Sequence, residues 1–209
     1  MRAGKIAAWT GLIVGLGAVG LQTLQTVAHA MAEGASLPVA LVYHFSFFTT
    51  LSNLGLALVY ASEVLQTRRL RLFRRPSMRT MMAAAILLVM LYYHFVLTGG
   101  GGPDGVLDAT VHYAAPTFYL AWWALAAEHG QVSVRKIPLM LVAPTGYIVY
   151  ILIRGALGGG YPYDVLNAGE FGYPTVFMNI IGLLAGYIAL CILMVWIDSA
   201  LGRRGQLAE

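Results

Sequence analysis

Six runs of this sequence are long and apolar enough to cross a bilayer, and that feature sets the fold class before any motif is considered. They cover residues 6–28, 43–65, 80–97, 109–127, 137–154 and 173–197. Runs of about 18–25 residues match a hydrocarbon core about 30 Å thick. Between them lie segments with loop chemistry: EGASLP, QTRRLRLFRRPSMR, TGGGGPDG, EHGQVSVRK and GALGGGYPYDVLNAGEFG. Only 11% of the residues are charged, against about 25% in a soluble domain. The expectation is an all-α integral membrane protein, a single transmembrane domain over residues 1–209, built as a bundle of six transmembrane helices.

The first run begins after Arg2 and Lys5 and ends in Ala28-His29-Ala30, a pattern shared with cleaved signal peptides. It exceeds the usual apolar region of about 7–15 residues in such peptides, so it is expected to be a true span. Of the 13 lysines and arginines, all but Arg154 fall on one side of a six-span chain. They are Arg2, Lys5, the six arginines from Arg68 to Arg79, Arg135, Lys136, Arg203 and Arg204. The positive-inside rule then places both termini and the arginine loop in the cytoplasm. The basic residues are a topology signal, and no nucleic-acid partner is expected. Cys191 is the single cysteine, so no intrachain disulfide is possible.

Polar residues break the apolar pattern at one depth. The second run carries Ser46, Thr49, Thr50, Ser52 and Asn53 close together. As one helix, Ser46, Thr50 and Asn53 follow i, i+4, i+7 and share a face. Thr50 would lie about 10 Å below the outer boundary at 1.5 Å per residue. The fourth run places His112 near the same boundary, with Pro116 one turn later. The sixth offers Thr175 and Asn179, followed by Gly182 and Gly186 as a close-packing face. The inner half reads as leucine, valine, alanine and methionine. Intramembrane polar groups point to a functional site, and the bland alternative is interhelical hydrogen bonding. A pocket toward the non-cytoplasmic side is the expectation.

His29, His44 and His94 lie at the same level as His112. Tyr43-His44-Phe45 recurs as Tyr93-His94-Phe95, which suits an interfacial aromatic belt or half of a metal site. No His-x₃-His or Glu-x-x-His spacing places a ligand pair on one helix, and no metal or other cofactor is expected. The outer loop 155–172 presents Tyr161-Pro162-Tyr163-Asp164 over the pocket, as a rigid cap or a lid.

The Thr-x-x-Asn-Leu of the second run, the lone histidine with a proline one turn later, and Gly-Tyr-Pro-Tyr before the last run resemble the androgen-induced family of small multi-span membrane proteins, in its bacterial branch. The resemblance implies a threonine hydrolase of fatty acid esters of hydroxy fatty acids. On it, Thr50 matches the catalytic threonine and His112 the catalytic histidine, in a bacterial inner membrane. This chain departs from the family in having Asn53 where animal members are acidic. Thr49 beside Thr50 also leaves the register open by one residue.

The chemistry is coherent on the residues themselves. A threonine hydroxyl becomes nucleophilic when a base takes its proton, and a neutral histidine is the usual base. Asn53, Asn179 or Arg154 would stabilise the oxyanion, with Ser46, Tyr161, Tyr163 and Asp164 as further substrate contacts. The partner is then a lipid-like ester in the membrane. Two other classes use the same residues: a small-molecule or lipid binding or transport protein, and a His-ligated metal or haem protein.

Overall fold

The computed structural model describes residues 2–207, and every regular element among them is helical. Helix α1 spans Arg2–Ala32, α2 Leu37–His44, α3 Phe48–Leu65 and α4 Pro76–Tyr92. The short α5, Val106–Ala109, leads into α6, Ala115–Ala126. Helix α7 covers Ile137–Met140, α8 Val142–Ala156 and α9 Ala168–Leu207. Prolines open α2, α4 and α7 in their first turns, where a missing N–H costs nothing, and Pro116 follows the turn that leads into α6. Helix α3 ends at Gln66, whose left-handed backbone (φ 50°) lets its N–H cap the Ser62 carbonyl at 3.2 Å. Helix α9 is broken at Gly172 (φ 72°), and Pro174 starts the continuous part.

Five helical stretches are long and apolar enough to cross a membrane: Ala3–Ala32, Phe48–Leu65, Pro76–Leu97, Val134–Ala156 and Ala168–Arg203. The expected run 109–127 is not among them. It is helical from 106 to 126, but Asp108, Thr110, His112 and Pro116 dilute its apolar character. The expected run 43–65 is not one helix either. It is α2 and α3 with a break at residues 45–47. Ser46 therefore leaves the face that periodicity assigned it with Thr50 and Asn53.

Helix α3 packs between α1 and α4, α4 also meets α6 and α9, and α8 lies along α9. In lipid such contacts rest on van der Waals fit more than on expelled water. The fit here is close: Ala8, Val59, Ala83, Ala84, Ile86, Tyr119 and Cys191 have no exposed surface. Gly11 of α1 lies on the ring of Tyr60, and a Cβ there would come within 2.4 Å of it. Gly182 and Gly186 show the opposite. A Cβ at either would meet nothing within 4 Å, so their expected close-packing role is not used within this chain.

Both ends of the described chain lie at one end of the bundle. The Trp122 indole of α6 donates to the Gly4 carbonyl at 3.1 Å, and Gly130 abuts Gly202. That end is not plain hydrocarbon, as the sequence had suggested. Asp198, Ser62 and Thr80 are buried there, and Arg79 pairs with Glu63 at 2.5 Å. Asp198 is fully paired. Its carboxylate meets His129 Nδ1 at 3.1 Å and accepts the N–H groups of Gly130 and Val132, each at 3.1 Å. A buried carboxylate persists only with such partners.

Candidate functional site

The break before α3 sets the position of the threonines. Phe47 is extended (φ −78°, ψ 128°) and caps α3. The Ser46 carbonyl, which no helical N–H serves, accepts the Tyr147 hydroxyl at 2.8 Å. Ser46 Oγ turns back to the Val42 carbonyl at 2.5 Å and lies 3.3 Å from the Tyr150 hydroxyl. The Phe48 N–H, free at the helix start, donates to the Tyr163 hydroxyl at 3.0 Å. Thr49 and Thr50 thus sit in the first turn of α3, both buried.

His112 owes its position to a widened turn. Residues Thr110–Ala114 form a π turn between α5 and α6. In π spacing the Val111 carbonyl would look to residue 116, a proline with no N–H to give. Asn53 Nδ2 supplies the missing donor at 3.1 Å and also donates to the Thr49 carbonyl at 3.0 Å. Asn53 therefore braces α3 against the histidine turn. Both its amide protons are engaged, so it has none left for an oxyanion.

Within the π turn, His112 Nδ1 lies 2.9 Å from Asp108 Oδ1 and 3.1 Å from the Asp108 carbonyl. The other carboxylate oxygen, Oδ2, accepts the Tyr93 hydroxyl and, at 3.0 Å, the Asp104 N–H. Tyr93, itself in a π turn (Tyr93–Leu97), stacks on the imidazole with centroids 3.8 Å apart and planes within 13°. Carboxylate and phenol fix the ring orientation. Among the described residues, His112 Nε2 makes no hydrogen bond. No hydrogen bond joins Thr50 to His112.

An open cavity lies among α3, α4, α8, α9 and the loop 157–167. Its walls are mostly apolar, and Thr49 and five tyrosines, Tyr92, Tyr93, Tyr147, Tyr163 and Tyr187, are among the lining residues. Burial pushes the Tyr163 phenol above the usual tyrosine value, so it stays a neutral hydroxyl beside Thr49. A second space lies between α1, α3 and α6, reaching Asn53, Tyr60 and Ala114. Thr49 lines the first cavity. Thr50 and His112 line neither.

The remaining sequence candidates are dispersed. Asn179 donates to the Val165 carbonyl at 2.9 Å and ties α9 to the loop before it. Arg154 donates to the Gly160 carbonyl at 2.6 Å and closes that loop on itself. The Tyr161 ring lies over Gly155, and Asp164 is exposed. The histidines have separate partners: His29 pairs with Glu33, His44 with Thr23, and His94 with Tyr113. Among the described residues no three His, Cys, Asp or Glu side chains gather as a metal-binding group. Two participants were not singled out from sequence. Asp108 was visible as Asp-x-x-x-His, four residues before His112. Tyr93 had no such signal, because its contact crosses from the third segment to the fourth.

No family model, curated protein or solved structure matches this chain.

Proposed function

We propose that this protein is an intramembrane ester hydrolase acting on a lipid-like fatty acyl ester through a threonine nucleophile and His112 as base. One observation carries the reading: the His112 imidazole is held by Asp108 through one ring nitrogen while the other is uncommitted. Asn53 ties the Val111 carbonyl, next to the histidine, to the threonine-bearing start of α3. An oriented base that can reach a hydroxyl is the arrangement nucleophilic catalysis needs, and in this reading the histidine turn and the start of α3 close on one another when substrate binds. In this scheme His112 Nε2 takes the threonine proton as the oxygen attacks the ester carbonyl. The Tyr163 hydroxyl stabilises the oxyanion. The alcohol leaves with the proton from His112, and water then hydrolyses the acyl-threonine. The acyl chain occupies the apolar cavity.

The resemblance to the androgen-induced family favours Thr50 as nucleophile, and the cavity lining favours Thr49. A fluorophosphonate probe on wild type, Thr49→Ala and Thr50→Ala separates them, since only the nucleophile's variant escapes labelling. A second reading is a lipid-binding or transport protein, favoured by the absence of Thr50 and His112 from the cavity wall. Retained labelling and hydrolysis in both variants would decide for it. A lipid ester reaches such a pocket if the chain crosses a bacterial inner membrane six times, with residues 106–126 as the fourth crossing. The basic asymmetry puts both termini in the cytoplasm and loop 155–172 outside. Cysteine labelling at Ser77 and Gly159 tests this. Labelling of Gly159→Cys from the cytoplasm alone would overturn it.

A further inference from the structure

The connection between α3 and α4 is an ordered basic corner. Residues Arg68–Leu70 form a 3₁₀ turn, and consecutive backbone turns carry the chain on to Pro76. Phe73 packs on the core, and Arg74 Nη2 reaches the Thr67 carbonyl at 3.4 Å. This corner is folded. From it project Arg68, Arg69, Arg71 and Arg75, all exposed. Among the described residues the nearest carboxylate, Glu63, is already taken by Arg79, and no arginine from 68 to 75 has an acidic partner. Leu65 and Leu72 are about half exposed at the same corner (51% and 48%).

We propose that this corner is a binding surface for the phosphate headgroups of anionic phospholipids. Three features on the page select that partner. The bases are all arginine, whose planar fork pairs with phosphate oxygens in twos, where lysine offers a point charge. They are unneutralised, so a diester phosphate meets no competing carboxylate. The exposed leucines beside them face the acyl region just beneath a headgroup, which soluble phosphate does not provide. The corner adjoins the bundle end that holds Gly4 and Gly202, because the Tyr119 hydroxyl, one turn from Trp122, donates to the Arg79 carbonyl at 3.0 Å. The surface therefore lies at the same membrane face as the described chain ends. A basic residue near an anionic leaflet contributes roughly fivefold in affinity. Four held in one rigid turn act together.

The experiment uses the full chain in mild detergent, titrated with dioleoyl phosphatidylglycerol or dioleoyl phosphatidylcholine. Native mass spectrometry counts bound lipid and a melting curve follows stability. Wild type is expected to hold phosphatidylglycerol at least tenfold better than phosphatidylcholine, and 0.5 M salt is expected to weaken it. The variant Arg68→Gln/Arg69→Gln/Arg71→Gln/Arg75→Gln is expected to lose most of that preference. Arg135→Gln/Lys136→Gln, which removes two charges from a neighbouring connection, is expected to keep it. The paired variants Arg68→Gln/Arg69→Gln and Arg71→Gln/Arg75→Gln serve if the fourfold variant does not fold, each losing part of the preference. Equal binding of the two lipids by wild type overturns the proposal. So does a preference that survives in the arginine variants but is lost in Arg135→Gln/Lys136→Gln. Inorganic phosphate that matches phosphatidylglycerol in stabilising wild type overturns the lipid assignment.

Discussion

Besides the exposed His29–Glu33 pair, the described residues hold two histidine–carboxylate pairs whose imidazoles are buried, one at each end of the bundle, and they differ in what remains unspent. At the α9 end, His129 uses both ring nitrogens, one on Asp198 at 3.1 Å and one on the Ala124 carbonyl at 3.3 Å. Asp198 uses its other oxygen on two backbone N–H groups. Every valence is closed, and the pair joins segments 69 residues apart. At the α3 end, His112 and Asp108 lie one turn apart on the same helical run. The bond between them spans a single turn, and Tyr93 is the neighbour it meets from another segment. The pair spends one ring nitrogen and leaves the other without a hydrogen bond. A closed pair is a latch. An oriented pair with one free valence can move a proton.

That comparison breaks first on activity. His112→Ala is expected to lower hydrolysis of a long-chain ester by at least about a hundredfold, since general-base assistance contributes about 10²–10⁴. His129→Ala is expected to leave the rate per folded molecule unchanged and to lower the melting temperature. The reverse pattern would exchange the two roles. Next in size is the latch. Asp198→Ala leaves the His129 imidazole and the buried Val132 N–H without their acceptor, while the Gly130 N–H keeps the backbone carbonyl of residue 198 at 3.0 Å; it is expected to cost about 3 kcal/mol, read from unfolding in detergent. Little change in unfolding would show the pair to be dispensable.

Smaller is the orienting effect. Asp108→Asn keeps the size of the side chain and still accepts from His112 Nδ1, but removes the charge. It is expected to reduce the rate by about tenfold, less than loss of the base itself, with substrate binding intact. A KM effect without a rate effect would make Asp108 a binding residue. The smallest prediction concerns packing far from both pairs. Gly11→Ala drives a methyl into the Tyr60 ring and is expected to cost about 1–3 kcal/mol. Gly15→Ala enters open space and is expected to stay within about 0.5 kcal/mol. Equal effects would place the α1–α3 contact elsewhere.

Much of the fold was legible because membrane length and proline placement are local. Pro38, Pro76 and Pro138 each begin a helix, and apolar runs mark most segments. The break at residues 45–47 was not legible. No glycine or proline signals it, and it persists because Tyr147, a hundred residues away, takes the Ser46 carbonyl. The π turns were hidden too, because one extra residue leaves hydropathy untouched. At the site, the polarity of Thr49–Asn53 and the isolation of His112 were plain. The division of labour was not. Asn53 and Asn179 looked alike as buried amides, yet one braces two helices and the other pins a loop. The end that holds Asp198 seemed apolar because Asp198 is a single charge near a helix end, and its partners come from another connection.

The two π turns carry a consequence in terms of chain length. A π turn is an α-helix holding one residue too many. Tyr93 and His112, the stacked pair, both sit in such turns. Deleting any one residue between 110 and 114 would restore ordinary winding and swing the preceding segment, Asp104 and Asp108 included, by about 100° relative to α6. No side chain at the site need change for it to come apart. The count of residues in this stretch is therefore as much a determinant of the site as their identity, and in-frame single-codon deletions there act like active-site mutations while leaving the transmembrane pattern intact.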